Sequence, residues 1–554
     1  MAAEHILILD FGSQTTALIG RRIRELGIYG EIIPGDSALS EEILDGVKGI
    51  ILSGSPESVN GSGLKADRRI YECNLPLLGI CYGLHLMTVD LGGAVQPLPA
   101  REAGGVEVRI GDRPPADMKS PNWDAMAFFS GFLWRDDLNL WNLLMNKKSL
   151  SRLNVWMSHS DSITKLANNF VEIGTSAKGY PAIVYHREKP WFGVQFHPEV
   201  SHCERGAELL GAFVRDVCHC AANWSVKSYL EETLGTLKQK AADRTVLLLI
   251  SGGIDSTVAA ALLLKALPAK NIHLMYMDTG LMRKNETAAV KQTLESLGAQ
   301  NIHIIQCQDE FLSALSGVET PEAKRKIIGD MFIKIQEREV ERLALPKDYI
   351  LAQGTLYTDL IESGKGVGSK AHTIKTHHNV GTPLVEAKRA AGALLEPLDK
   401  LYKDEVRLLG ALLSLDDEVL HRHPFPGPGL AVRILGEVNS EKCEALREAD
   451  SIFIEELKKR RNPLTQKTLY NEIWQAFAVL LPVRSVGVSG DERKYGWVLS
   501  LRAVTSADGM TAGVYNFNMN DIIEISTRIT NEVPAIGRVV YDVSSKPPAT
   551  IEWE

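Results

Sequence analysis

Short apolar runs alternate with amphipathic segments over residues 5–220 of the chain. The runs His5–Asp10, Gly49–Ser53 and Leu75–Ile80 have the length and apolar content of buried parallel strands. Between the first two, Thr15–Leu26 repeats its aliphatic residues at helical spacing and places its arginines elsewhere. Strands that alternate with helices predict an α/β fold on a doubly wound sheet.

The rest of this first block continues the same alternation. We predict further strands and a closing helix, in chain order Gly105–Ile110, Phe170–Ser176, Ala182–Tyr185, Trp191–Phe196 and the helix Glu204–Val217. Residues 112–150 are irregular and rich in Trp, Asn, Met and Pro. We expect a surface excursion there, for which the sequence indicates no role.

A polar stretch over residues 221–243 links this block to a second one with the same pattern. The predicted strands of the second block are Thr245–Ile250, Asn271–Met277, Asn301–Gln306 and Tyr349–Ala352, with helices between them. This alternation predicts a second doubly wound sheet. Residues 364–385 are rich in Gly, His, Lys and Thr and favour a loop. His423–Gly429 cannot be helical, because its three prolines fix the backbone.

The pattern changes again after residue 430. Predicted helices and strands are mixed there, namely Glu441–Lys458, Ser485–Val488, Trp497–Val504, Asn520–Glu532 and Gly537–Val543, and they indicate a smaller α+β domain. The predicted organisation is therefore three domains, over residues 1–220, 221–429 and 430–554. That number suits a chain of 554 residues, since domains usually hold roughly 100–200 residues.

Composition and charge narrow the function classes. The chain is 45% hydrophobic and 23% charged, as in ordinary globular proteins, and its formal net charge of −8 argues against a nucleic-acid-binding surface. Apolar runs fall far short of the ~18 residues of a membrane span, and the N-terminus lacks the positive charge of a secretory signal. The 7 cysteines show no disulfide-framework spacing, so we expect a reducing, cytoplasmic compartment.

Cys81 lies in the sequence G-I-C-Y-G between a predicted strand and a helical segment. Flanking glycines permit a sharp turn that projects the thiol, and the helix N-terminus favours a thiolate. Taken alone, a cysteine between glycines is more often a small buried residue than a nucleophile. A second motif favours a nucleophilic role for Cys81, because His197 and Glu199 follow a predicted strand in F-G-V-Q-F-H-P-E. A nucleophilic cysteine needs such a base and a carboxylate that orients it.

These two motifs, together with Asp10–Gln14 (DFGSQ) and Leu52–Pro56 (LSGSP), resemble the class I glutamine amidotransferases. The resemblance implies that Cys81 attacks the glutamine side-chain amide and releases ammonia through a thioester. It also implies that His197, oriented by Glu199, serves as base and then acid. Backbone N–H groups near Gly54 and Tyr82 would form the oxyanion hole. Departures from the family pattern occur at four positions, namely Ser55, His85, Ala103 and Ser160.

A second motif, Ser251-Gly252-Gly253-Ile254-Asp255-Ser256, follows a predicted strand and opens a helix. A glycine-rich turn at a helix N-terminus presents N–H groups to a phosphate. Asp255 would repel that phosphate unless a cation lies between them, so Mg²⁺ is implied. The spacing differs from the P-loop with its lysine. The motif resembles the ATP pyrophosphatase loop, whose enzymes cleave ATP between the α- and β-phosphates.

Later segments resemble the GMP synthetase family over nearly the whole chain. They are Tyr276–Lys284, Gln353–Tyr357, Ile374–Asn379, His421–Ala431 and Ser544–Glu554. The resemblance implies that xanthosine monophosphate (XMP) is adenylylated by ATP and then aminated by ammonia. It also implies a homodimer formed through the last domain.

The same resemblance carries roles for individual residues. It implies ATP contacts at Asp278 and Gly354 besides the loop, with Asp255 holding the metal. XMP contacts are implied at Arg283, Gln475, Lys546, Ile551 and Glu552. A lid loop at about residues 360–385 and its surroundings would act at the adenylylation site, through Arg325, Asp359, Glu362, Lys375, His377 and His378.

Two other hypotheses stay open at this point. The four departures suggest a synthetase with an impaired glutaminase that uses free ammonia. A catalytically idle nucleotide-binding regulator is a different class of protein, and the complete Ser251–Ser256 motif argues against it.

Overall fold

The computed structural model of the chain describes residues 4–61, 63–110, 119–120, 123–124, 151–362, 383–489, 492–506 and 511–554. These residues fall into two compact units, one within Met1–Tyr229 and Thr358–Thr376 and the other within Leu230–Tyr357 and His377–Glu554. Almost all of the predicted excursion at 112–150, and Lys375, His377 and His378 of the predicted lid, lie outside the described residues. No helix in the described ranges is long and apolar enough to cross a membrane.

The first unit is built on a nine-stranded sheet. The strands in chain order are β1 (His5–Asp10), β2 (Tyr29–Pro34), β3 (Val47–Leu52), β4 (Leu77–Ile80), β5 (Ala94–Ile110), a separate pair β6 (Lys119–Ser120) and β7 (Trp123–Asp124), then β8 (Ser151–Lys165), β9 (Phe170–Ser176), β10 (Pro181–His186) and β11 (Trp191–Val194). Its helices are α1 (Thr16–Glu25), α2 (Glu41–Leu44), α3 (Tyr82–Asp90) and α4 (Gly206–Ala212), with a π-helical turn at Phe213–Val217.

The strand order β2-β1-β3-β4-β11-β10-β9-β5-β8 separates the sheet into two halves. Strands from β2 to β11 are parallel, whereas the pairings from β11 to β8 are antiparallel. All six residues of β1 and all four of β4 are buried, as continuous apolar runs require. The carboxyl ends of β1, β3, β4 and β11 therefore meet at one edge of the sheet, where open α/β sheets bind ligands.

The second unit contains a five-stranded parallel sheet in the order β14-β13-β12-β15-β16. Its strands are β12 (Val246–Ile250), β13 (Ile272–Asp278), β14 (Asn301–Gln306), β15 (Ile350–Ala352) and β16 (Leu394–Leu395). The helices from the junction onward are α5 (Val226–Ala241), α6 (Ile254–Ala266), α7 (Glu286–Ser296), α8 (Gln308–Ala314), α9 (Pro321–Arg342), α10 (Tyr357–Glu362), α11 (Pro383–Ala390), α12 (Lys403–Leu412) and α13 (Asp417–Leu420).

The same unit contains a third sheet made by the end of the chain. Its elements are α14 (Ser440–Lys459), α15 (Leu469–Glu472), β17 (Gln475–Ser489), β18 (Glu492–Thr505), β19 (Gly513–Val514), α16 (Met519–Glu532) and β20 (Ile536–Tyr541). Strands β17, β18 and β19 pair antiparallel, and β20 pairs parallel to β18. One hydrophobic core joins this region to the five-stranded sheet, with Met275 and Leu281 in the same cluster as Leu446 and Phe453.

The predicted fold class, two large α/β sheets followed by a smaller α+β region, is confirmed, but some elements differ. The predicted polar link at 221–243 contains the helix α5, whose Tyr229, Leu230, Leu237 and Ala241 are buried. Its many Lys, Glu and Gln side chains hid this narrow apolar face. The predicted strand Trp191–Phe196 ends already at Val194. The three-domain boundaries stay a prediction.

The strands β2 and β8 were missed because neither has a continuous apolar run. In β8, Leu153, Val155, Met157 and His159 are buried while the residues between them are exposed. Such alternation belongs to a strand with one face toward solvent, at the antiparallel side of the sheet.

The segment that follows β20 is held by the fully buried side chain of Arg502 on β18. Its Nε donates to the carbonyl of Ile551 (2.7 Å) and its Nη2 to that of Thr550 (2.7 Å). Its Nη1 donates to a carboxylate oxygen of Asp542 (2.7 Å) and to the carbonyl of Ser544 (3.0 Å). One guanidinium thus fixes both ends of the C-terminal segment.

Replacing Arg502 should therefore be costly. In Arg502→Leu the carboxylate of Asp542 and three carbonyl groups lose their buried partner, so we expect a loss of about 3–5 kcal/mol in the free energy of unfolding. Urea denaturation followed by circular dichroism measures this loss. Arg538→Leu, which removes an exposed arginine from the neighbouring strand β20, should change the free energy of unfolding by less than about 0.5 kcal/mol. Equal effects of the two variants would contradict the anchoring role.

Candidate active sites

Cys81 occupies the sharp turn between β4 and α3. Its φ of 51° is in the left-handed region that non-glycine residues rarely adopt, so the surroundings hold the turn in place. The flanking glycines make this possible. A Cβ on Gly79 would lie 2.7 Å from the backbone N of Leu84, and one on Gly83 would collide with the carbonyl of Leu52. The G-x-C-x-G pattern is thus explained by the close approach of strand and helix.

His197 and Glu199 lie beside this turn, as the sequence predicted. The Nδ1 atom of His197 is 2.8 Å from Oε1 of Glu199, and a hydrogen bond joins His197 to Cys81. The residues Cys81, His197 and Glu199 are 4%, 6% and 0% exposed, so water is largely excluded from their contacts. His197 and Glu199 lie in a turn that follows β11, which ends at Val194 and does not extend toward them as predicted.

The electrostatics of the group favour a charged imidazole. Burial opposes the charged form, but the carboxylate of Glu199 and the hydrogen bond to Cys81 together raise the pKa of His197 to about 11. A protonated His197 next to Cys81 favours the thiolate form of the cysteine, which is the nucleophilic form. The arrangement can therefore carry out nucleophilic catalysis.

Two backbone amides are available where an oxyanion would form. Within the described residues, neither the N–H of Gly54 nor that of Tyr82 donates a hydrogen bond. Gly54 also passes close to the base, because a Cβ there would lie 3.0 Å from Cε1 of His197. The predicted pair of donors therefore lies beside the Cys–His–Glu group, with its hydrogens uncommitted in this part of the structure.

The predicted phosphate loop lies between β12 and α6. Gly252 has a φ of 80°, and Gly253 is the N-cap of the 13-residue helix α6. The hydroxyl groups of Ser251 and Ser256 are 3.1 Å apart, and Oγ of Ser251 accepts from the amide of Gly253 at 3.3 Å. The loop thus has the shape of an anion cradle at a helix N-terminus.

Asp255 has two different oxygen environments. Its Oδ2 pairs with Nζ of Lys403 at 2.5 Å, whereas its buried Oδ1 has no hydrogen-bond partner among the described residues. No cluster of three His, Cys, Asp or Glu residues able to hold a metal occurs in that part of the chain. Mg²⁺ in nucleotide sites is usually bound by one or two carboxylates plus phosphate oxygens, so Asp255 fits as one ligand.

Of the other two predicted ATP residues, Gly354 lies against this loop and Asp278 ends the neighbouring strand. Gly354 follows β15, and a Cβ there would lie 3.0 Å from backbone atoms of Asp255 and Ser256. Asp278 ends β13 and accepts from the amide of Gly280 (3.1 Å) and the hydroxyl of Thr287 (2.8 Å). Gly354 thus provides space for the loop, while Asp278 shapes the turn that follows its own strand.

Three of the predicted XMP residues form one hydrogen-bonded network. Nη2 of Arg283 (3.3 Å) and Nε2 of Gln475 (3.2 Å) both donate to the carbonyl of Pro424. Nε2 of Gln475 also donates to Oε1 of Glu552 at 2.7 Å. The network is completed by Arg433, which makes two hydrogen bonds to the same carboxylate at 2.8 and 3.1 Å. Burial, together with the charge of Arg433, lowers the pKa of Arg283.

The remaining predicted residues are dispersed. Lys546 lines a surface pocket with Thr505, Ser506, Thr511, Ala512 and Gly513, and Ile551 packs on Phe477 and Val504. Arg325 donates to the carbonyl of Glu554, at the end of the chain. Asp359 lies in α10; the side chain of Glu362 and all of Lys375, His377 and His378 lie outside the described residues.

Comparisons with known proteins match these features region by region. Residues 7–217 match the model of the class-I glutamine amidotransferases, residues 226–331 that of NAD synthase, and residues 462–553 that of the GMP synthase C terminal domain. Proteins named glutamine-hydrolyzing GMP synthase from Photorhabdus laumondii and Proteus mirabilis are each 45% identical over 553 residues. That from Shigella boydii is 44% identical over 552 residues. Each alignment covers 100% of this chain and 99% of the relative.

The chain belongs to the glutamine-hydrolysing GMP synthases. The resemblance drawn from the sequence motifs is thereby confirmed.

The four departures from the family pattern lie in different surroundings. Ala103 and Ser160 are exposed on neighbouring strands of the antiparallel half of the sheet. Ser55 is half-buried, and its Oγ accepts from the amide of Glu57 at 3.1 Å. His85 is buried one helical turn from Cys81 and contacts Gln195. The departures leave the Cys–His–Glu geometry of this GMP synthase intact.

Several residues that contact the predicted site residues were missed from the sequence. In the first unit, Oγ1 of Thr15 donates to Oε1 of Glu199 at 2.6 Å. In the second, Arg422 pairs with Glu286 at 2.7 Å and donates to the carbonyl of Gly252 at 2.7 Å, while Arg433 binds Glu552. Arg422 lies within His421–Ala431, a segment that had been singled out, but nothing in the sequence pattern distinguishes a buried arginine from a surface one.

Removing the charge of Glu199 should move the pH dependence of glutaminase activity. In Glu199→Gln the attraction that raises the pKa of His197 is lost, so the pKa falls and the alkaline limb of the pH–rate profile moves to lower pH. We expect kcat to fall about 10²–10⁴-fold at neutral pH, because the imidazole also loses its orientation. Glutamate release measured across pH tests both effects.

The control is Glu204→Gln, which changes an exposed carboxylate that accepts from the amide of Asn154 at 2.9 Å. It should leave the profile unchanged. An alkaline limb at the same pH in Glu199→Gln and wild type would show that Glu199 does not set the protonation of His197.

Proposed function

We propose that this chain makes GMP from XMP and ATP with ammonia that it releases from glutamine. The observation that supports this best is the occurrence in one chain of a formed Cys–His–Glu group and a phosphate-loop sheet, in a sequence that matches GMP synthases over its full length. The relatives from Photorhabdus laumondii and Shigella boydii carry that activity in their names.

The glutaminase half would proceed as nucleophilic acyl transfer. The thiolate of Cys81 attacks the side-chain carbonyl carbon of glutamine, and the amides of Gly54 and Tyr82 donate to the oxyanion. His197 gives its proton to the leaving nitrogen, so that ammonia departs and a thioester remains. His197 then takes a proton from water, which attacks the thioester and releases glutamate. Glu199 orients the imidazole and stabilises its charge.

The synthetase half would activate a carbonyl oxygen. The loop Ser251–Ser256 binds the phosphates of ATP, and Asp255 is suited to hold Mg²⁺, which would neutralise phosphate charge when bound. The C2 oxygen of XMP attacks the α-phosphorus, and pyrophosphate leaves. Ammonia then attacks C2 and displaces AMP. Arg325, Asp359, Glu362, Lys375, His377 and His378 are proposed to act at this step.

The XMP site is proposed at the network around Glu552. Arg283 suits a phosphate, while Gln475 and Glu552 suit neutral donors and acceptors of a base. Lys546 and Ile551 are proposed as further contacts. Arg433 orients the carboxylate of Glu552 before substrate arrives, since its side chain is fully buried and makes two hydrogen bonds to it.

A homodimer and a cytoplasmic location are also proposed. The hairpin of β17 and β18 exposes Val483, Val486, Val488 and Tyr495 by 55%, 48%, 80% and 59%, which suits a protein–protein contact. All seven cysteines are free thiols, as expected for a reducing compartment.

Cys81→Ala separates the two half-reactions. Without the thiol no thioester forms, so we expect glutamine-dependent GMP formation from XMP, ATP and Mg²⁺ to fall more than about 10³-fold. Formation with ammonium chloride should stay within about two-fold of wild type. Cys73→Ala, at a half-buried cysteine of the same unit, is the matched control and should retain both activities.

Each alternative hypothesis predicts a different result in this assay. An impaired glutaminase would give GMP only with ammonium, in wild type as in the variant. An idle regulator would give neither GMP nor pyrophosphate with either nitrogen source, and that result would reject the proposed function.

Glu552→Gln tests the nucleotide site with ammonium as nitrogen source. The amide keeps the size of the side chain but leaves the buried Arg433 without its counter-charge, so we expect the KM for XMP to rise about 10-fold or more. Glu532→Gln, an exposed carboxylate at the end of α16, is the control and should leave the KM unchanged. An unaltered KM in folded Glu552→Gln would place the XMP site elsewhere.

A further inference from the structure

One buried amide side chain donates to the sulfur of Cys81. The Nε2 atom of Gln195 lies 3.8 Å from Sγ, within the range of a hydrogen bond to sulfur. The sulfur also lies 4.0 Å from the carbonyl oxygen of Ser158, to which only a protonated thiol can donate. The two contacts therefore favour opposite forms of Cys81: the amide of Gln195 favours the thiolate, and the carbonyl of Ser158 favours the thiol.

The orientation of the Gln195 amide decides which end faces the sulfur. Nε2 of His85 lies 2.7 Å from Oε1 of Gln195. With Oε1 of Gln195 facing the imidazole, His85 carries its proton on Nε2, because a carboxamide oxygen only accepts. In the same orientation the NH₂ group of the amide points to Cys81. The reversed amide would place two donors against each other and turn its oxygen toward the sulfur.

The neutral state of His85 follows from its burial. It is 4% exposed, and burial lowers the pKa of His85 to about 4 despite the hydrogen bond that it donates to Gln195. The other titratable groups around the pair are His197 with Glu199, and His159 with Glu102 and Asp161. His85 thus supplies a hydrogen-bond donor without placing a second positive charge beside His197.

Both side chains are attached to rigid elements. His85 lies on α3, and its amide donates to the carbonyl of Cys81 at 3.1 Å. Gln195 directly follows β11, whose last residue, Val194, accepts from the amide of Cys81 at 2.8 Å. Gln195 is 1% exposed. The strand and the helix that form the nucleophile turn therefore also fix the His85–Gln195 pair.

We propose that Gln195 is a positioning residue that stabilises the thiolate of Cys81 through an N–H···S contact, and that His85 holds its amide in the required orientation. The inference rests on the proposed role of Cys81 as the glutaminase nucleophile. A glutamine at position 85 could donate to Oε1 of Gln195 in the same way, so the contact does not require an imidazole.

The test is the pH dependence of Cys81 alkylation by iodoacetamide in the full-length protein, with Cys81→Ala reporting the background of the other cysteines. In Gln195→Glu a carboxylate faces the sulfur, so the midpoint of the profile should rise by about one pH unit or more. His85→Leu frees the amide to reverse, and the midpoint should rise by a smaller amount. His85→Gln should restore the wild-type midpoint.

Glutaminase kinetics give a second measurement. We expect kcat to fall about 10–100-fold in Gln195→Glu while the KM for glutamine changes less than about three-fold, since the effect is on the nucleophile. His186→Leu is the matched control. This buried neutral histidine in the same sheet packs on Phe170 and Trp191, and its loss should leave the alkylation midpoint unchanged.

The outcomes are distinguishable. Unchanged alkylation midpoints in Gln195→Glu and His85→Leu would overturn the inference, even if activity fell. If the wild-type protein instead kept its glutaminase activity after complete alkylation of Cys81, the proposed role of Cys81 as the nucleophile would be wrong. If the melting curve of Gln195→Glu shows that this variant does not fold, the alkylation midpoints of His85→Leu and His85→Gln are compared instead, and equal midpoints would overturn the inference.

Discussion

Both candidate sites depend on the same geometric constraint, the reversal of a buried parallel strand directly into a helix. At the end of such a strand the backbone must turn within two or three residues, between neighbours that leave no room for side chains. Glycines therefore flank Cys81 and fill the phosphate loop, and Gly354 gives that loop its space. The same turn exposes helix N–H groups that no residue of the helix can pair. An oxyanion is expected to use them in one unit and a phosphate in the other.

Burial of charge is the second feature that the two units share. In the first, Glu199 is fully buried and supports a cationic His197. In the second, Arg433 is fully buried against the carboxylate of Glu552. Each charge needs a partner of opposite sign, because the protein interior solvates isolated ions poorly. Such pairs contribute orientation more than stability, which suits groups that must meet a substrate in a defined state.

Sequence reasoning succeeded where a local pattern had a single physical explanation. The strand β1 and the helix α14 were predicted to within one residue, since apolar runs and helical periodicity are local properties. The Cys81–His197–Glu199 group was predicted from two motifs. Sequence reasoning failed for the helix α5, whose apolar face is narrow. It also failed for the contact of Thr15 with Glu199, because these residues are 184 positions apart in sequence.

The sequence by itself determined the family, the order of the sheets and the chemical identity of the two motifs, because these are properties of short segments and their spacing. Only the tertiary structure decided which charges are buried, that Oδ2 of Asp255 faces Lys403, and that Gln195 and His85 lie against Cys81. Burial and hydrogen-bond direction arise when distant strands and helices pack together. No local pattern encodes them, since an arginine or a glutamine has the same sequence signature in a core as on a surface.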